Sequence, residues 1–162
     1  MIPEFTKILY TTDLSDNARH AFGYAAGLAN RYNAGVTVLH VLEDLSPSGD
    51  SLVINVIGET KWNEIRQQNE KNVLETMQTR LRAFCDDVTS EFPACQFITD
   101  DIIVRIGIPV EEILAQVESG DYDLVVMGAH GRGVLSDTFM GSTSRRVLRR
   151  CKIPVLVVRL PE

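Results

Sequence analysis

The stretch that decides the fold is residues 123–144, which read DLVVMGAHGRGVLSDTFMGSTS. It begins with an apolar run, residues 124–127, of the kind that forms a strand buried on both faces. Glycines then interrupt this run, and a helical pattern starts after Gly141 and continues to Arg150. A strand, a glycine-rich loop and a helix start, in this order, are how an α/β protein builds a binding place for an anion.

The start of this predicted helix favours an anion for two physical reasons. The first backbone N–H groups of a helix lack partners, and the helix dipole places partial positive charge on them. Ser142, Thr143 and Ser144 can either cap the helix or donate hydroxyl hydrogen bonds to phosphate oxygens. A capped helix after a flexible loop, with no ligand, is the alternative that the stretch alone leaves open.

Widespread phosphate and nucleophile motifs do not account for this stretch. The sequence contains no G-x-x-x-x-G-K-[ST], so it has neither a Walker loop nor the lysine of that loop. Gly131 and Gly133 could begin a dinucleotide fingerprint, but Ser136 stands where its third glycine belongs. The sequence also lacks the G-x-S-x-G pattern of a nucleophile elbow.

Predicted strands and helices alternate along the chain. The predicted strands are residues 5–11, 36–42, 98–106, 124–127 and 153–158. The predicted helices follow an N-cap at Ser15 or Asp16, span residues 61–88, begin at Pro109 and span residues 142–150. Such alternation predicts a parallel sheet with helices on both faces, and right-handed crossovers make that sheet doubly wound.

The predicted helices carry apolar faces, and one segment predicted to be a loop contains a short apolar run at residues 52–57. The apolar face of the first helix consists of Ala18, Ala21, Phe22, Ala25, Ala29 and Tyr32. We expect Gly35 to end that helix in the left-handed conformation. The predicted buried stripe of the long helix consists of Ile65, Val73, Leu74, Met77, Leu81, Phe84 and Val88. Residues 43–60 are predicted to be a polar, variable loop that serves as a lid or a dimer contact.

Composition excludes several classes of function. The chain has 162 residues and a net charge of -6, which repels nucleic acid and anionic membranes. No apolar run approaches the length needed to insert into and cross a bilayer. Cys85, Cys95 and Cys151 are far apart and form no C-x-x-C pair, so we expect reduced thiols in a cytoplasmic protein.

The loops after the first and fourth strands are predicted to share one site. Ligands of doubly wound sheets bind at the carboxyl ends of strands, where the strand order reverses. The first strand ends in Thr11, Thr12 and Asp13, and the fourth strand ends in the glycine loop. If these strands are neighbours, their loops meet at one crevice. By itself, Asp13 is more often a turn or helix-capping residue than a ligand-binding one.

The glycine spacing resembles the nucleotide-binding motif of the universal stress protein family. Gly128, Gly131, Gly141 and Ser142 read G-x2-G-x9-G-[ST]. Other segments that resemble the family are KILYTTDLS at 7–15, VLHV at 38–41, GIP at 107–109, VL at 147–148 and CKIPVLVV at 151–158. The resemblance covers nearly the whole chain apart from residues 43 to about 72.

This resemblance implies both a fold and a ligand. The implied fold is a single domain over residues 1–162, with a five-stranded, Rossmann-like sheet of the adenine nucleotide alpha hydrolase type in the strand order 3-2-1-4-5. Members of the family with an intact glycine motif bind ATP, and Mg²⁺ or Mn²⁺ accompanies the triphosphate in some of them. No residue of this chain uniquely marks a metal ligand, and we assign none.

The resemblance also implies roles for individual residues. Asp13 would face the nucleotide, and the main chain of Val41 would hydrogen-bond adenine. The residues implied to flank Asp13 or to line the base and ribose are Thr11, Thr12, Met127 and Gly128. The residues implied to hold ribose and phosphates are Gly131, Gly141, Ser142, Thr143 and Ser144.

Several charged residues near the motif have two interpretations. His130 could reach a phosphate, and a solvent-facing loop histidine is an equal alternative. Arg132 could pair with a phosphate, although a solvated charge that orders on binding is favoured over that pairing. The arginines of the last helix are better explained by the helix dipole than by a ligand. His40 is predicted to be structural.

Two classes of function remain. The favoured one is a nucleotide-binding, stress-response regulatory protein, in which ATP stabilises a conformation that exposes a surface to a protein partner. It would act as a homodimer joined through Val155–Val158, a very apolar predicted sheet edge. The alternative is a slow ATP hydrolase or phosphoryl-transfer enzyme, for which Asp13 or Asp137 with His130 are the only candidates; we assign no catalytic residue, because nothing fixes a water. A dimer that binds another nucleotide, such as AMP, is a third interpretation.

Overall fold

The computed structural model describes residues 2–43, 50–91, 99–131 and 140–161. Five parallel strands form one sheet in the order β3-β2-β1-β4-β5. The strands are β1 (Lys7–Thr11), β2 (Gly35–Leu42), β3 (Thr99–Ile106), β4 (Leu124–Gly128) and β5 (Val155–Val158). The predicted doubly wound class and the strand order 3-2-1-4-5 are both confirmed.

Helices cover both faces of the sheet. They are α1 (Asp16–Tyr32), α2 (Asp50–Ile57), α3 (Glu59–Glu91), α4 (Pro109–Ser119) and α5 (Ser142–Arg150). On one face, α1 and α3 pack with side chains such as Tyr10 and Phe22, whose ring centroids lie 5.0 Å apart. On the other face, α4 and α5 pack around Leu9, Val125 and Val147. No helix in the described part of the chain has both the length and the apolarity to cross a membrane.

Two strands are shorter than predicted. The first strand begins at Lys7 rather than at residue 5, because Phe5 instead packs edge-on against the ring of Tyr32 at 5.2 Å. The last strand begins at Val155 rather than at residue 153, because Pro154 has no N–H with which to join the ladder. Residue 98, the predicted first residue of β3, lies outside the described residues.

The ends of α1 confirm one predicted cap and correct another. Ser15 is the N-cap, and its hydroxyl accepts a hydrogen bond from the Ala18 N–H at 3.2 Å. At the other end, Asn33 and not Gly35 takes the left-handed conformation, with φ 54°. Gly35 is already the first residue of β2, where its N–H donates to the Thr6 carbonyl. Among residues other than glycine, asparagine is one of the few that tolerate this conformation, which explains why the helix ends at Asn33 rather than at Gly35.

The predicted loop over residues 43–60 is wrong in its second half. Residues 44–49 lie outside the described residues, but Asp50–Ile57 form α2 and α3 starts at Glu59. Gly58, with φ 86°, separates the two helices, which pack against each other. A short apolar run does not reveal its secondary structure by periodicity alone, and here α3 supplies the packing surface for a helix.

The buried stripe of α3 is shorter than predicted. Leu81 is fully buried, and Leu74, Met77 and Phe84 are partly buried against the core, but Ile65 and Val73 are exposed. The side chain of Val88 is outside the described set. With 33 residues, α3 is about 50 Å long. The longest strands have eight residues and span about 27 Å, so the sheet cannot cover the whole helix.

Asp123 joins the start of β1 to the loop before β4. Its Oδ2 accepts hydrogen bonds from the Thr6 N–H at 2.7 Å, the Thr6 hydroxyl at 2.8 Å and the Lys7 N–H at 2.9 Å. The Thr6 N–H, followed by the Thr6 hydroxyl and the Lys7 N–H, holds the pKa of this carboxyl below its ordinary value.

Asp123→Asn is expected to lower the free energy of unfolding by about 1–3 kcal/mol at neutral pH, because a charged acceptor of three hydrogen bonds is lost. The folded-state pKa is depressed, so the carboxylate stabilises the fold above its unfolded-state pKa, and this contribution disappears as pH falls through the folded-state pKa. Denaturant titrations of both proteins between pH 7 and pH 3 test this. A stability difference that grows on acidification would contradict the assignment.

Candidate functional site

A cavity of about 690 Å³ opens at the carboxyl ends of β1, β2 and β4. It lies where the strand order reverses, because β1 pairs with β2 on one side and with β4 on the other. The predicted site residues that line it are Thr11, Thr12, Asp13, Val41, Met127, Gly128, His130, Gly131, Gly141, Ser142, Thr143 and Ser144. Arg132 lies outside the described residues. The two loops predicted to meet at one crevice therefore do so.

Asp13 combines a structural role with a position in the cavity. Its Oδ1 accepts hydrogen bonds from the Ser15 N–H at 3.0 Å and the Ser15 hydroxyl at 2.5 Å, so it organises the turn before α1. Within the same turn, Leu14 has φ 64°, and its N–H donates to the Thr12 hydroxyl at 3.0 Å. Oδ2 of Asp13 faces the glycine loop, since a Cβ placed on Gly131 would lie 2.8 Å from it.

A side chain at any of the three described motif glycines would crowd a neighbouring group of the chain. A Cβ on Gly128 would lie 3.0 Å from the Asn17 amide nitrogen, and a Cβ on Gly131 would press on the carboxylate of Asp13. A Cβ on Gly141 would lie 3.2 Å from the Ala129 carbonyl oxygen. Substitution of Gly141 would therefore disturb the loop as well as any ligand, and it cannot separate folding from binding.

The N-terminus of α5 lacks a side-chain cap. Gly141 is the N-cap residue, with φ -64° and ψ 159°, and no side chain accepts from the first turn. The interpretation in which Ser142, Thr143 or Ser144 caps this helix is wrong, because the helix starts one residue too early for any of them. The first intrahelical bond runs from the Arg145 N–H to the Gly141 carbonyl, so three N–H groups precede the ladder.

Ser144 fastens α5 to the loop after β4. It is buried, and its hydroxyl donates to the Ala129 carbonyl at 2.8 Å, with the Gly141 carbonyl 3.1 Å away. Ser142 is exposed, and the first turn of α5 contains no acidic side chain. The helix thus presents to the cavity backbone donors that precede its hydrogen-bond ladder, together with the positive end of its dipole, which suits an anion.

Asn17 holds the glycine loop in place, and sequence reasoning missed it. Its side chain is 5% exposed. The amide nitrogen donates to the Val158 carbonyl at 3.1 Å, and the amide oxygen accepts from the His130 N–H at 3.1 Å. Asn17 therefore connects the start of α1 both to the end of β5 and to the loop after β4. No signal in the sequence marks Asn17, because its role depends on contacts with residues far away along the chain.

His40 is structural, as predicted. It is 7% exposed, and its Nδ1 lies 2.6 Å from the Thr12 carbonyl oxygen. This contact fixes the end of β1 relative to β2.

One arginine of α5, Arg150, already has a partner for its charge within the protein. It forms a two-point ion pair with Glu111 at 2.7 and 3.2 Å.

Two further walls of the cavity were not assigned to the site from the sequence. Pro109 and Ile113 of α4 close one side, and Met77 and Arg80 of α3 close another. The remaining lining residues that were not predicted are Leu14, Ala18, Leu39, His40, Leu42 and Glu43. The sequence identifies Met77 only as a member of the apolar stripe of α3.

Metal ligands do not cluster in the described residues. No group of three or more His, Cys, Asp and Glu side chains there is arranged to hold a metal ion. These residues therefore offer no binding set of their own for Mg²⁺ or Mn²⁺.

The sequence model of the universal stress protein family matches residues 4–159, and the chain belongs to that family. Universal stress protein MJ0577 of Methanocaldococcus jannaschii is 28% identical over 155 residues, covering 96% of this chain and 95% of that protein. A universal stress protein of Thermus aquaticus is 30% identical over 156 residues, covering 96% of this chain and 99% of the other.

Solved structures of the family share the fold. The structure of MJ0577 has a TM-score of 0.71 at 26% identity and covers 99% of both chains. A universal stress protein in complex with cAMP has a TM-score of 0.58 at 20% identity, covering 96% of this chain and 98% of that one. An Archaeoglobus fulgidus universal stress protein in complex with dAMP has a TM-score of 0.52 at 20% identity, covering 98% and 99%.

Proposed function

We propose that this universal stress protein binds ATP in the cavity at the β1–β4 edge and acts as a nucleotide-dependent regulatory protein of the stress response. The observation that carries the proposal is the N-terminus of α5, which has no side-chain cap and whose first residues line a cavity that also holds Asp13 and the motif glycines. A triphosphate would receive backbone donors and the helix dipole there without any lysine.

From the residues that line the cavity we infer one orientation for the nucleotide. Phosphates would lie at Gly131 and Gly141–Thr143, and the base would lie toward Val41 and Met127. The carboxylate of Asp13 would accept a hydrogen bond from a ribose hydroxyl. A volume of about 690 Å³ is within the range of small-molecule sites. The regulatory role would follow because a ligand that binds one conformation of the folded protein stabilises that conformation.

A second candidate ligand is an adenosine monophosphate. The universal stress proteins solved with cAMP and with dAMP carry a single phosphate, so the triphosphate is not the only form that this fold accommodates. In the proposed orientation a monophosphate would still reach the N-terminus of α5. A competition between ATP and AMP for the same protein ranks the two ligands.

The proposal is tested with purified protein in two steps. Mass spectrometry of small molecules released on denaturation is expected to find an adenine nucleotide. After its removal, ATP at about 100 times its Kd should stabilise the protein by about 2.7 kcal/mol, which raises Tm by roughly 5–10 °C. No released nucleotide together with no shift at millimolar ATP, with or without Mg²⁺, would refute ATP binding.

We further propose that two copies pair through β5 in the cytoplasm. β5 is an edge strand whose only partner in the sheet is β4, and it contains no charge, whereas the opposite edge strand β3 carries Asp101 and Arg105. The Pro154 and Val158 carbonyls point toward β4. By the two-residue period of a strand, the N–H and carbonyl groups of Val155 and Val157 point away from the sheet, where a second copy could bind them.

Val157→Pro is expected to convert the dimer to a monomer, because it removes an outward N–H and leaves the β4–β5 ladder intact. Sedimentation velocity at micromolar protein measures the change. Val157→Thr is the matched control, since it keeps the N–H and should remain dimeric. A wild-type monomer, or a proline variant that stays dimeric, would refute pairing through this edge.

A further inference from the structure

The wall that α3 contributes to the cavity consists of Met77 and Arg80. The two residues lie three positions apart on a helix, so their side chains share one face. Leu81 follows directly and is fully buried in the core beside α1, and Met77 packs against the same cluster. The backbone at Arg80 is therefore held against the cavity by core packing.

Arg80 approaches the cavity from the side opposite to α5. Met77 belongs to the core cluster on the α1 face of the sheet, whereas Val147 of α5 belongs to the cluster on the α4 face. Along the sheet, α3 packs over β3, which is three strands away from β4. At about 4.8 Å per strand this is roughly 14 Å, so phosphates at α5 would lie at the far end from Arg80.

The positive charge of Arg80 is not neutralised by any of the described residues. Its side chain is exposed, and it forms no ion pair or hydrogen bond with any residue in the ranges the structure describes. Among the described residues that line the cavity, Arg80 is the only lysine or arginine, and Asp13 and Glu43 are the acids. Arg19 on α1, by contrast, is paired with Asp87 and Glu91.

We propose that Met77 and Arg80 form the base-side wall of the site, with the Arg80 guanidinium stacked on the face of the bound purine and the Met77 thioether packed beside it. This inference rests on the proposed nucleotide-binding function. A planar guanidinium stacks well on aromatic rings, and a thioether packs favourably at a ring edge. Arg80 is thus a residue that determines affinity for the nucleoside part of the ligand, independent of the phosphates.

The test measures Kd for adenosine, AMP and ATP by calorimetry with wild type, Arg80→Ala, Arg80→Lys and Arg82→Ala. Arg82 is an exposed arginine of the same helix that does not line the cavity, so its variant is the matched control. Arg80→Ala should weaken all three ligands by the same factor, about tenfold. Arg80→Lys should restore only part of this loss, because lysine keeps the positive charge but lacks the planar guanidinium group. Arg82→Ala should bind all three ligands as wild type does.

Three other outcomes would overturn the inference, and each would do so for a different reason. A loss that grows from adenosine to ATP would place Arg80 on the phosphates. Equal affinities of Arg80→Ala and wild type for all three ligands would remove Arg80 from the site while leaving the proposed function intact. Wild-type protein that binds none of the three would refute the proposed function and this inference with it. Melting curves without ligand confirm that the Arg80 and Arg82 variants fold alike.

Discussion

Ser142→Asp is expected to abolish ATP-induced stabilisation and to leave the unliganded protein as stable as wild type or slightly more stable. The carboxylate would occupy the first turn of α5, where no acidic side chain stands now, and would interact favourably with the helix dipole by about 0.3–1 kcal/mol. The same charge would lie beside the proposed phosphate position. One pair of like charges at about 4 Å costs about 4 kcal/mol at a protein surface, which weakens binding roughly 1,000-fold.

Ser142→Asn is the matched control for this variant. It has nearly the same size as aspartate and carries no charge, so it should retain ATP binding within a few-fold of wild type. Thermal shift with and without ATP measures both properties at once. An aspartate variant that still shifts with ATP as wild type does would place the phosphates elsewhere. A variant that fails to fold would contradict the capping geometry of α5 instead.

Asn17→Asp is expected to destabilise the fold by about 3–5 kcal/mol, because it buries a charge that the His130 N–H and the dipole of α1 offset only in part. The substituted oxygen would stand 3.1 Å from the Val158 carbonyl, where the amide nitrogen now donates. Asn17→Ala should cost less, about 1–3 kcal/mol, since the His130 N–H then loses its acceptor without a charge being buried. Denaturant unfolding without ligand measures both variants.

Asn30→Asp provides the control for Asn17. It makes the same chemical change on the same helix at an exposed position in the last turn, where a negative charge opposes the helix dipole, and it should lower the free energy of unfolding by no more than about 1 kcal/mol. Equal effects at both positions would show that the Asn17 contacts contribute nothing specific. The Asn17 variants should also bind ATP more weakly, because the loop from Gly128 to Gly131 would lose its connection to α1.

The parts of this protein that the sequence predicts are those encoded in short-range patterns. Apolar runs and helical periodicity locate the five strands and most of the helices, and glycine spacing locates the loop after β4. The convergence of Asp13 with Gly131 follows from the reversal of strand order, which is a general property of doubly wound sheets.

The parts that were missed depend on contacts between distant segments. Asn17 acquires its importance only from Val158 and His130, and Arg80 enters the site only because α3 crosses beside β3. The α5 cap was mistaken because three consecutive hydroxyl residues match a capping pattern, while the helix starts at the first of them. The second half of residues 43–60 was mistaken because α2 is stabilised by α3 rather than by its own pattern.

The packing around the motif glycines changes what their presence means. Space is already lacking at Gly128, Gly131 and Gly141 in the protein by itself. A descendant of this chain that had lost every ligand would therefore still have a packing reason to keep these glycines, above all Gly141, whose neighbour is backbone. Retention of the motif by itself therefore does not separate packing from ligand binding, and ligand binding is better judged at positions such as Ser142, where we expect the folded chain to tolerate a substitution that a bound phosphate would not.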